Sequence, residues 1–301
     1  MIYEQIDRNK RKTYLIFFIF FVLLAAIGSF LGIYFFDNIY SGIIIALVIA
    51  IVYTLITYFQ STSIVMQMNG AKKLNSAKDA PNLWHIVEDL AMVADIPLPD
   101  IYIINDSSPN AFATGRDPQH AAVAVTSGLY EMMNREELEG VLAHEISHVR
   151  NYDIRVSTIS VALSSAIILI CSILGNAYRW FIPMNDNDRD NNNGAIRIVL
   201  WLIGLIFAII GPMIATLVQM AISRNREYLA DVSGAELTRN PQGLINALEK
   251  LKKSTKPMRR VDDASAALYI DDPNKKKHFS GLFDTHPPLD DRIAALKKTF
   301  E

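Results

Sequence analysis

The chain has 301 residues, of which 51% are hydrophobic and 20% are charged, below the ~25% charged residues of typical soluble domains. Its net charge of −2 at pH 7 provides no basic field for nucleic acid, so we expect no nucleic-acid partner. Its single cysteine, Cys171, excludes an intramolecular disulfide framework and a metal site built from several cysteines.

Apolar residues are concentrated in four uncharged stretches instead of being spread along the chain. A helix that crosses the ~30 Å core of a bilayer needs ~20 such residues, and each stretch is about that long. The stretches are 13–36, 40–59, 156–174 and 198–222. We therefore predict a multi-span α-helical membrane protein, with 1–60 as a two-span N-terminal anchor and 156–222 as the third and fourth spans. The first half of the third stretch is rich in serine and threonine, which favours contact with protein over contact with lipid.

Lysines and arginines near the ends of these stretches predict the orientation of the chain. They are concentrated on the side that holds both chain ends and are scarce around the loop 175–197. Because such residues are retained in the cytoplasm, we expect both termini and the blocks 61–155 and 223–301 to be cytoplasmic. The loop has aspartates at alternate positions, as calcium loops do. Asn191 and Arg197 stand where such a loop needs glycine and glutamate, so no calcium site is predicted.

The two cytoplasmic blocks predict a mixed α+β domain. In chain order, the patterns indicate a helix over 82–93, strands at 101–104 and 121–125, and a loop or strand edge at 110–115 between them. Asn134 and Glu137 form a potential capping box for a helix that runs to about residue 151. Further helices are predicted over 223–237, 241–251 and 289–300, and the charged segment 252–277 is predicted to be a mobile loop.

The capped helix carries the sequence His-Glu-Ile-Ser-His at residues 144–148. Residues four apart lie on one face of a helix, so His144 and His148 can both reach one tetrahedral Zn²⁺ at ~2.0–2.1 Å. Glu145 would lie beside them as a general base for a water molecule. The alternative interpretation is a pair of surface histidines with a solvated glutamate.

A catalytic zinc site needs a third protein ligand and one open position. Many carboxylates are candidates, as are the remaining histidines His85, His120, His278 and His286. The third and fourth spans form a hairpin, so both of its ends lie on one side of the membrane. The two motif histidines come shortly before that hairpin and Glu227 comes shortly after it. Glu227 is therefore the predicted third ligand. Asp231, four residues later, is predicted to accept the N–H of a ligand imidazole.

Taken together, these motifs resemble the HtpX-type membrane-bound zinc metallopeptidases, bacterial relatives of the CAAX prenyl proteases. The resemblance rests on a basic start, a two-span anchor, and the segments 110–115, 144–148, 223–231 and 285–288 in that order. It implies a zincin-like catalytic fold with one zinc ion per chain and Glu227 as third ligand. It also implies an endopeptidase of a bacterial inner membrane that degrades misfolded or damaged membrane proteins under stress, with its active site facing the cytoplasm.

Peptide hydrolysis requires a further donor that faces the oxyanion of the scissile carbonyl. His286 is the first candidate for this catalytic role, and Arg224 or Arg226 is the second. A structural turn is the alternative for His286, and a membrane-edge anchor is the alternative for the two arginines. An extended polypeptide substrate can add to a strand edge, which makes Asn110 a candidate for substrate contact.

Three other functions were weighed against a protease. A transporter or channel with a structural metal clasp would carry buried charges in its spans, and the four stretches have none. An inactive metal-binding scaffold would lack the base, whereas Glu145 is present. A prenyl-protein processing enzyme would need a roomy chamber open to lipid, for which four spans are few. The predicted protein therefore cleaves polypeptides while embedded in a lipid bilayer.

Overall fold

The computed structural model describes residues 2–163, 166, 224–259, 265–275 and 287–300. Two long helices, α1 (Ile2–Phe36) and α2 (Ile39–Met68), form a hairpin, and Asn38 caps the start of α2. The helices approach closely at Gly28 and Gly42, where a Cβ atom on Gly28 would lie 2.6 Å from the Gly42 carbonyl oxygen. Glycine is therefore required at this crossing.

The surface of this hairpin is apolar. Within the described residues, α2 is the one helix long and apolar enough to cross a membrane, judged by length and composition, and α1 holds the shorter apolar stretch Thr13–Ser29. Only 11% of the most apolar part of α2 is buried, whereas a core helix of a soluble protein would bury it. These features suit contact with lipid. The fourth predicted span and the loop 175–197 lie outside the described residues.

A four-stranded sheet follows the hairpin, in the strand order β1-β2-β4-β3. The strands are β1 (Ala71–Lys73), β2 (Asp100–Ile104), β3 (Ala111–Gly115) and β4 (Ala121–Thr126). β2 and β4 are parallel, and the other two pairs are antiparallel. The run 110–115, for which the sequence allowed a loop or a strand edge, thus contains the edge strand β3. Strand β1 was not predicted.

Seven further helices occur in the described residues. They are α3 (Pro81–Ala94), α4 (Ser127–Met132), α5 (Arg135–Arg150), α6 (153–163), α7 (Arg224–Thr238), α8 (Pro241–Lys253) and α9 (Leu289–Phe300). The five helices predicted in the two cytoplasmic blocks are confirmed as α3, α5, α7, α8 and α9. The capping box of Asn134 and Glu137 is present at the start of α5, and the short helix α4 was not predicted.

One hydrophobic core joins the two predicted blocks. It contains Leu83 and Ile86 of α3, Leu142 and Ile146 of α5, and Leu244, Leu248 and Leu296 from α8 and α9. Residues before and after the third and fourth predicted spans therefore fold into one body. This shared core holds α5 and α7 together, which matters for the site described below.

The first half of the third apolar stretch packs against protein. Thr158 of α6 lies 2.8 Å from the Thr114 hydroxyl and accepts the backbone N–H of Gly115 at 3.0 Å. On its other side, α6 accepts a hydrogen bond from the Tyr53 hydroxyl at the carbonyl of Ala162. The serine- and threonine-rich part of this stretch thus lies between α2 and β3, as its composition favoured.

Helix α2 extends beyond the predicted end of the anchor at residue 60. In its last two turns Ser61, Val65 and Met66 are buried, and Val65 and Met66 pack with Phe112 and Ala124 of the sheet. The apolar hairpin and the sheet are therefore connected by a continuous helix with no linker between them.

Candidate metal centre

Helices α5 and α7 cross closely enough to bring their polar side chains together. Gly234 of α7 lies against the backbone of α5, where an added Cβ atom would be 2.8 Å from the backbone nitrogen of His144. Residues seven apart share one face of a helix, so Glu227, two turns before Gly234, also faces α5. A larger residue at position 234 would push apart the two helices that build the site.

Three donor atoms converge at this crossing. The Nε2 atoms of His144 and His148 are 3.2 Å apart. The two carboxylate oxygens of Glu227 lie 3.7 Å from Nε2 of His144 and 3.6 Å from Nε2 of His148. All three groups offer one ligand atom within 4.8 Å of the others, so the structure brings the three predicted ligands together.

These separations suit a tetrahedral metal ion. Two atoms bound at ~2.0–2.1 Å with a tetrahedral angle between them lie about 3.3–3.4 Å apart. The observed separations of 3.2, 3.6 and 3.7 Å are close to that value. Two imidazole nitrogens and one carboxylate are also a donor set that catalytic zinc uses, with the fourth position left for water or substrate.

Hydrogen bonds on the far side of each ring direct a lone pair into the centre. Nδ1 of His144 lies 2.9 Å from Asp231, and Nδ1 of His148 lies 3.1 Å from Asp153. Since an ionised carboxylate can only accept, each Nδ1 donates a proton to it, and in a neutral ring this leaves the lone pair on Nε2 for a metal ion. Burial lowers the pKa of His148, but the hydrogen bond that its Nδ1 donates to Asp153 and the charge of Glu227 outweigh burial and raise that pKa to about 9. The centre therefore attracts positive charge.

Glu145 lies in the same cleft and is 2% exposed. Its burial raises its pKa above the ordinary value, an effect reduced by the two neighbouring histidines and by a backbone hydrogen bond from Ala113 of β3. A carboxyl group whose pKa is raised by burial can exchange a proton nearer to neutral pH than an exposed glutamate. This environment suits a general base.

The cleft has a volume of about 420 Å³ and a largely apolar wall opposite the donors. Ala267, Leu268 and Ile270 of the segment 265–271 form this wall. The Ile270 N–H donates to the Ala111 carbonyl at the open edge of β3. The prediction of a mobile loop over 252–277 is therefore wrong for this segment, because its apolar residues pack on the sheet.

Asn110 has a different partner from the one expected. Its side-chain amide donates to the carbonyl of Asp271 at 2.8 Å and accepts the Asp271 N–H at 3.3 Å. Asn110 thus binds the backbone of its own chain, and its predicted contact with substrate stays a prediction. Phe112, next but one along the chain, is fully buried and packs edge-to-face on Tyr269.

The remaining predicted residues fall in different places. His286 lies outside the described residues, and Arg224 is described only as the first residue of α7. Arg226 lines the cleft, with its guanidinium 3.4 Å from Asp153.

His85 and His120 are exposed, as expected of histidines that are not ligands. Sequence reasoning missed Asp153, whose carboxylate lies 3.1 Å from Nδ1 of His148.

Comparisons with known proteins agree with this geometry. The model of peptidase family M48 matches residues 77–300. The protease HtpX homolog of Limosilactobacillus reuteri (strain DSM 20016) is 58% identical over 301 residues, covering 99% of this chain and 100% of that protein. The protease HtpX homolog of Streptococcus pyogenes serotype M28 (strain MGAS6180) is 55% identical over 297 residues, covering 99% of both.

A solved structure shares the fold. The crystal structure of S. mikatae Ste24p aligns with a TM-score of 0.50 at 20% sequence identity. The alignment covers 97% of this chain and 66% of that chain, so this chain spans just under two thirds of Ste24p. At this identity the likeness concerns the fold alone.

Proposed function

The chain belongs to peptidase family M48 and is a membrane metalloprotease, and from this premise we propose that it is a zinc-dependent endopeptidase that removes misfolded or damaged membrane proteins. His144, His148 and Glu227 would hold the zinc ion, one per chain. Asp231 would orient His144 from behind. The observation that carries the proposal is the convergence of these three donors beside the buried carboxylate of Glu145.

The residues of the chain divide the work of hydrolysis between them. When bound, zinc would supply a Lewis acid that makes water more acidic and polarises the scissile carbonyl. Glu145 would accept the proton of the attacking water and then deliver it to the leaving amine. The backbone N–H of Ala113 hydrogen-bonds to Glu145, so strand β3 would hold the base in place while it works.

His286 remains the proposed donor to the oxyanion. Of the two arginines considered for this role, Arg226 is the weaker candidate, because its guanidinium already contacts Asp153. Arg224 is two positions from Arg226 at the start of α7 and stays an alternative. We propose that Asn110 acts indirectly on the edge of β3 where substrate would bind, by fixing the position of Asp271 through a hydrogen bond to its carbonyl.

Substrates would be polypeptides in extended form. Ala113 lines the cleft next to Glu145, and an extended segment can add to a strand edge through main-chain hydrogen bonds. Such binding accepts many side chains, which suits a protease that acts on unfolded segments. The apolar surface of α1 and α2 would hold the cleft close to a lipid bilayer, where unfolded membrane proteins are found.

Metal removal tests this function directly. We expect purified protein to contain one zinc ion per chain and to cleave casein, and we expect a chelator such as 1,10-phenanthroline to stop cleavage. Adding zinc back should restore cleavage, whereas magnesium should not, because Mg²⁺ prefers an octahedral set of oxygen ligands. The measurements are elemental analysis and the release of casein fragments. Cleavage that persists in metal-free protein would contradict the proposal.

The orientation in a bacterial inner membrane is a separate proposal, supported by the lysine and arginine distribution. After Cys171→Ser, one cysteine is introduced at exposed Glu88, and in a second variant at Asn187 of the loop 175–197. In intact spheroplasts a membrane-impermeant maleimide should label the cysteine at 187 and not the one at 88. Labelling of position 88 before lysis would reverse the proposed orientation.

A further inference from the structure

Each ligand histidine contacts a carboxylate on the side of its ring away from the centre, and each carboxylate contacts an arginine. We call each set of histidine, aspartate and arginine an arm. In the first of these two arms, Nδ1 of His144 lies 2.9 Å from Asp231. Asp231 in turn accepts two hydrogen bonds from the guanidinium of Arg292, from Nε at 2.8 Å and from Nη2 at 2.6 Å. The planar guanidinium thus grips both carboxylate oxygens at once, which fixes the plane of the carboxylate.

The second arm repeats the arrangement on His148. Its Nδ1 lies 3.1 Å from Oδ2 of Asp153, and Oδ1 of Asp153 lies 3.4 Å from Nη1 of Arg226. Asp153 reaches the ring because the chain turns sharply at Tyr152, which has φ 59°. Arg226 directly precedes Glu227 in the sequence, so the second arm is attached to the helix that supplies the third donor.

Resting on the proposed zinc function, we propose that Arg292 and Arg226 are positioning residues of the metal centre, acting through Asp231 on His144 and through Asp153 on His148. Partners of this kind keep each imidazole in one tautomer and one orientation, so that Nε2 points at the metal. Without its arginine, the aspartate loses the hydrogen bonds that fix its orientation and can turn away from the ring. The imidazole would then lose the acceptor that keeps its proton on Nδ1.

Arg292 has the contacts expected of such a residue. Its side chain is 0% exposed, which is rare for arginine outside a paired site. It lies 3.8 Å from Glu227 as well and donates to the carbonyl of Ile270 in the wall of the cleft. Nη2 of Arg292 also lies 3.3 Å from Nδ1 of His144, so Arg292 contacts both α5 and α7 as well as the wall of the cleft.

The charges of the two arms fit a divalent cation. Besides the two histidines, the ionisable groups of the centre, within the described part of the chain, are the carboxylates of Glu145, Asp153, Glu227 and Asp231 and the guanidinium groups of Arg226 and Arg292. Four carboxylates and two guanidinium groups leave two negative charges when all are ionised. A divalent ion bound by neutral histidines would neutralise the centre, whereas loss of either arginine would leave an uncompensated buried charge.

The test measures metal binding and the geometry of the metal, not only activity. For Arg292→Gln we expect the zinc dissociation constant, measured by competition with a chelator, to rise ~10–100-fold, as for other partners behind metal ligands. Arg292→Lys should recover part of the lost zinc affinity, since lysine restores the positive charge but not the planar group that binds both carboxylate oxygens. Co²⁺-substituted Arg292→Gln should also show an altered visible absorption spectrum. Lys298→Gln, an exposed change on the same helix, is the matched control and should alter neither measurement.

The second arm keeps the test decisive if Arg292→Gln does not fold. The side chains of Asp153 and Arg226 are 10% exposed, against 0% and 1% for Arg292 and Asp231. Asp153→Asn and Arg226→Gln should both weaken zinc binding, with recovery in Arg226→Lys. Arg150→Gln, an exposed change at the end of α5, is their control. Unchanged affinity and an unchanged Co²⁺ spectrum in folded variants of either arm would overturn the proposal. Wild-type protein that binds no zinc would instead overturn the proposed function.

Discussion

Glu145→Gln should abolish proteolysis while leaving the metal in place. Glutamine has the shape of glutamate and can still accept the hydrogen bond from the Ala113 backbone, but it cannot take a proton from water. General bases contribute ~10²–10⁴-fold to such reactions, so we expect the rate of casein cleavage to fall by at least ~100-fold. The zinc content should remain at one ion per chain, because Glu145 is not among the three converging donors.

Two comparisons make this result specific. Glu139→Gln changes a half-buried glutamate on the same helix and should leave both cleavage and zinc content unchanged. Loss of zinc in Glu145→Gln would mean that Glu145 helps to hold the ion. Cleavage at the wild-type rate would mean that another group accepts the proton, and the proposed mechanism would then be wrong.

Glu227→Ala should remove both the metal and the activity. Within the described residues, the Glu227 carboxylate is the anionic member of the three converging donors, at 3.7 Å from His144 and 3.6 Å from His148. Two neutral imidazoles alone hold zinc poorly, so we expect the zinc dissociation constant to rise by more than the ~100-fold that loss of an outer partner causes. Elemental analysis after dialysis and chelator competition on folded protein would measure this change.

The matched control is Glu236→Ala, which removes an exposed glutamate from the same helix. It should retain one zinc ion per chain and full casein cleavage. Full zinc retention in Glu227→Ala would show that another residue is the third ligand. A variant that loses zinc but regains cleavage at high zinc concentration would instead fit a weakened version of the same site.

The local signals of the sequence were sufficient to predict the helix that carries the metal motif. The capping box at Asn134 and Glu137 and the four-residue spacing of His144 and His148 depend on neighbours within one or two turns. Glu227 is distant in sequence and could be predicted only by placing both ends of a membrane hairpin on one side. In the structure, the close contact of Gly234 with α5 brings Glu227 to the two rings.

The two positioning arms could not be predicted in the same way, because their residues come together only when the chain folds and share no local sequence spacing. Asp153 is five residues after His148, beyond the spacing that pairs side chains on a helix, and only the turn at Tyr152 brings it back. Arg292 lies in a helix with charged neighbours, where an arginine is usually solvent-exposed. No pattern in the sequence indicates that it is fully buried beneath a metal site.

The packing of the segment 265–271 could not be predicted from the sequence, for a related physical reason. The surrounding stretch is rich in charge, which predicts a solvated loop. Tyr269 and Ile270 are nevertheless buried, because the edge of β3 offers both an apolar surface at Phe112 and a backbone acceptor at Ala111. Only the position of the edge strand, which depends on sheet pairing, determines where this segment packs.

The location of Arg292 in α9 has a consequence for the order of events during synthesis. A ribosome releases α5 and α7, with all three metal donors, well before it releases α9. Until α9 docks, Asp231 lacks its guanidinium partner and His144 lacks a fixed orientation. The nascent protease would therefore remain immature until its last helix has been synthesised and has folded, and translation itself would delay self-destruction.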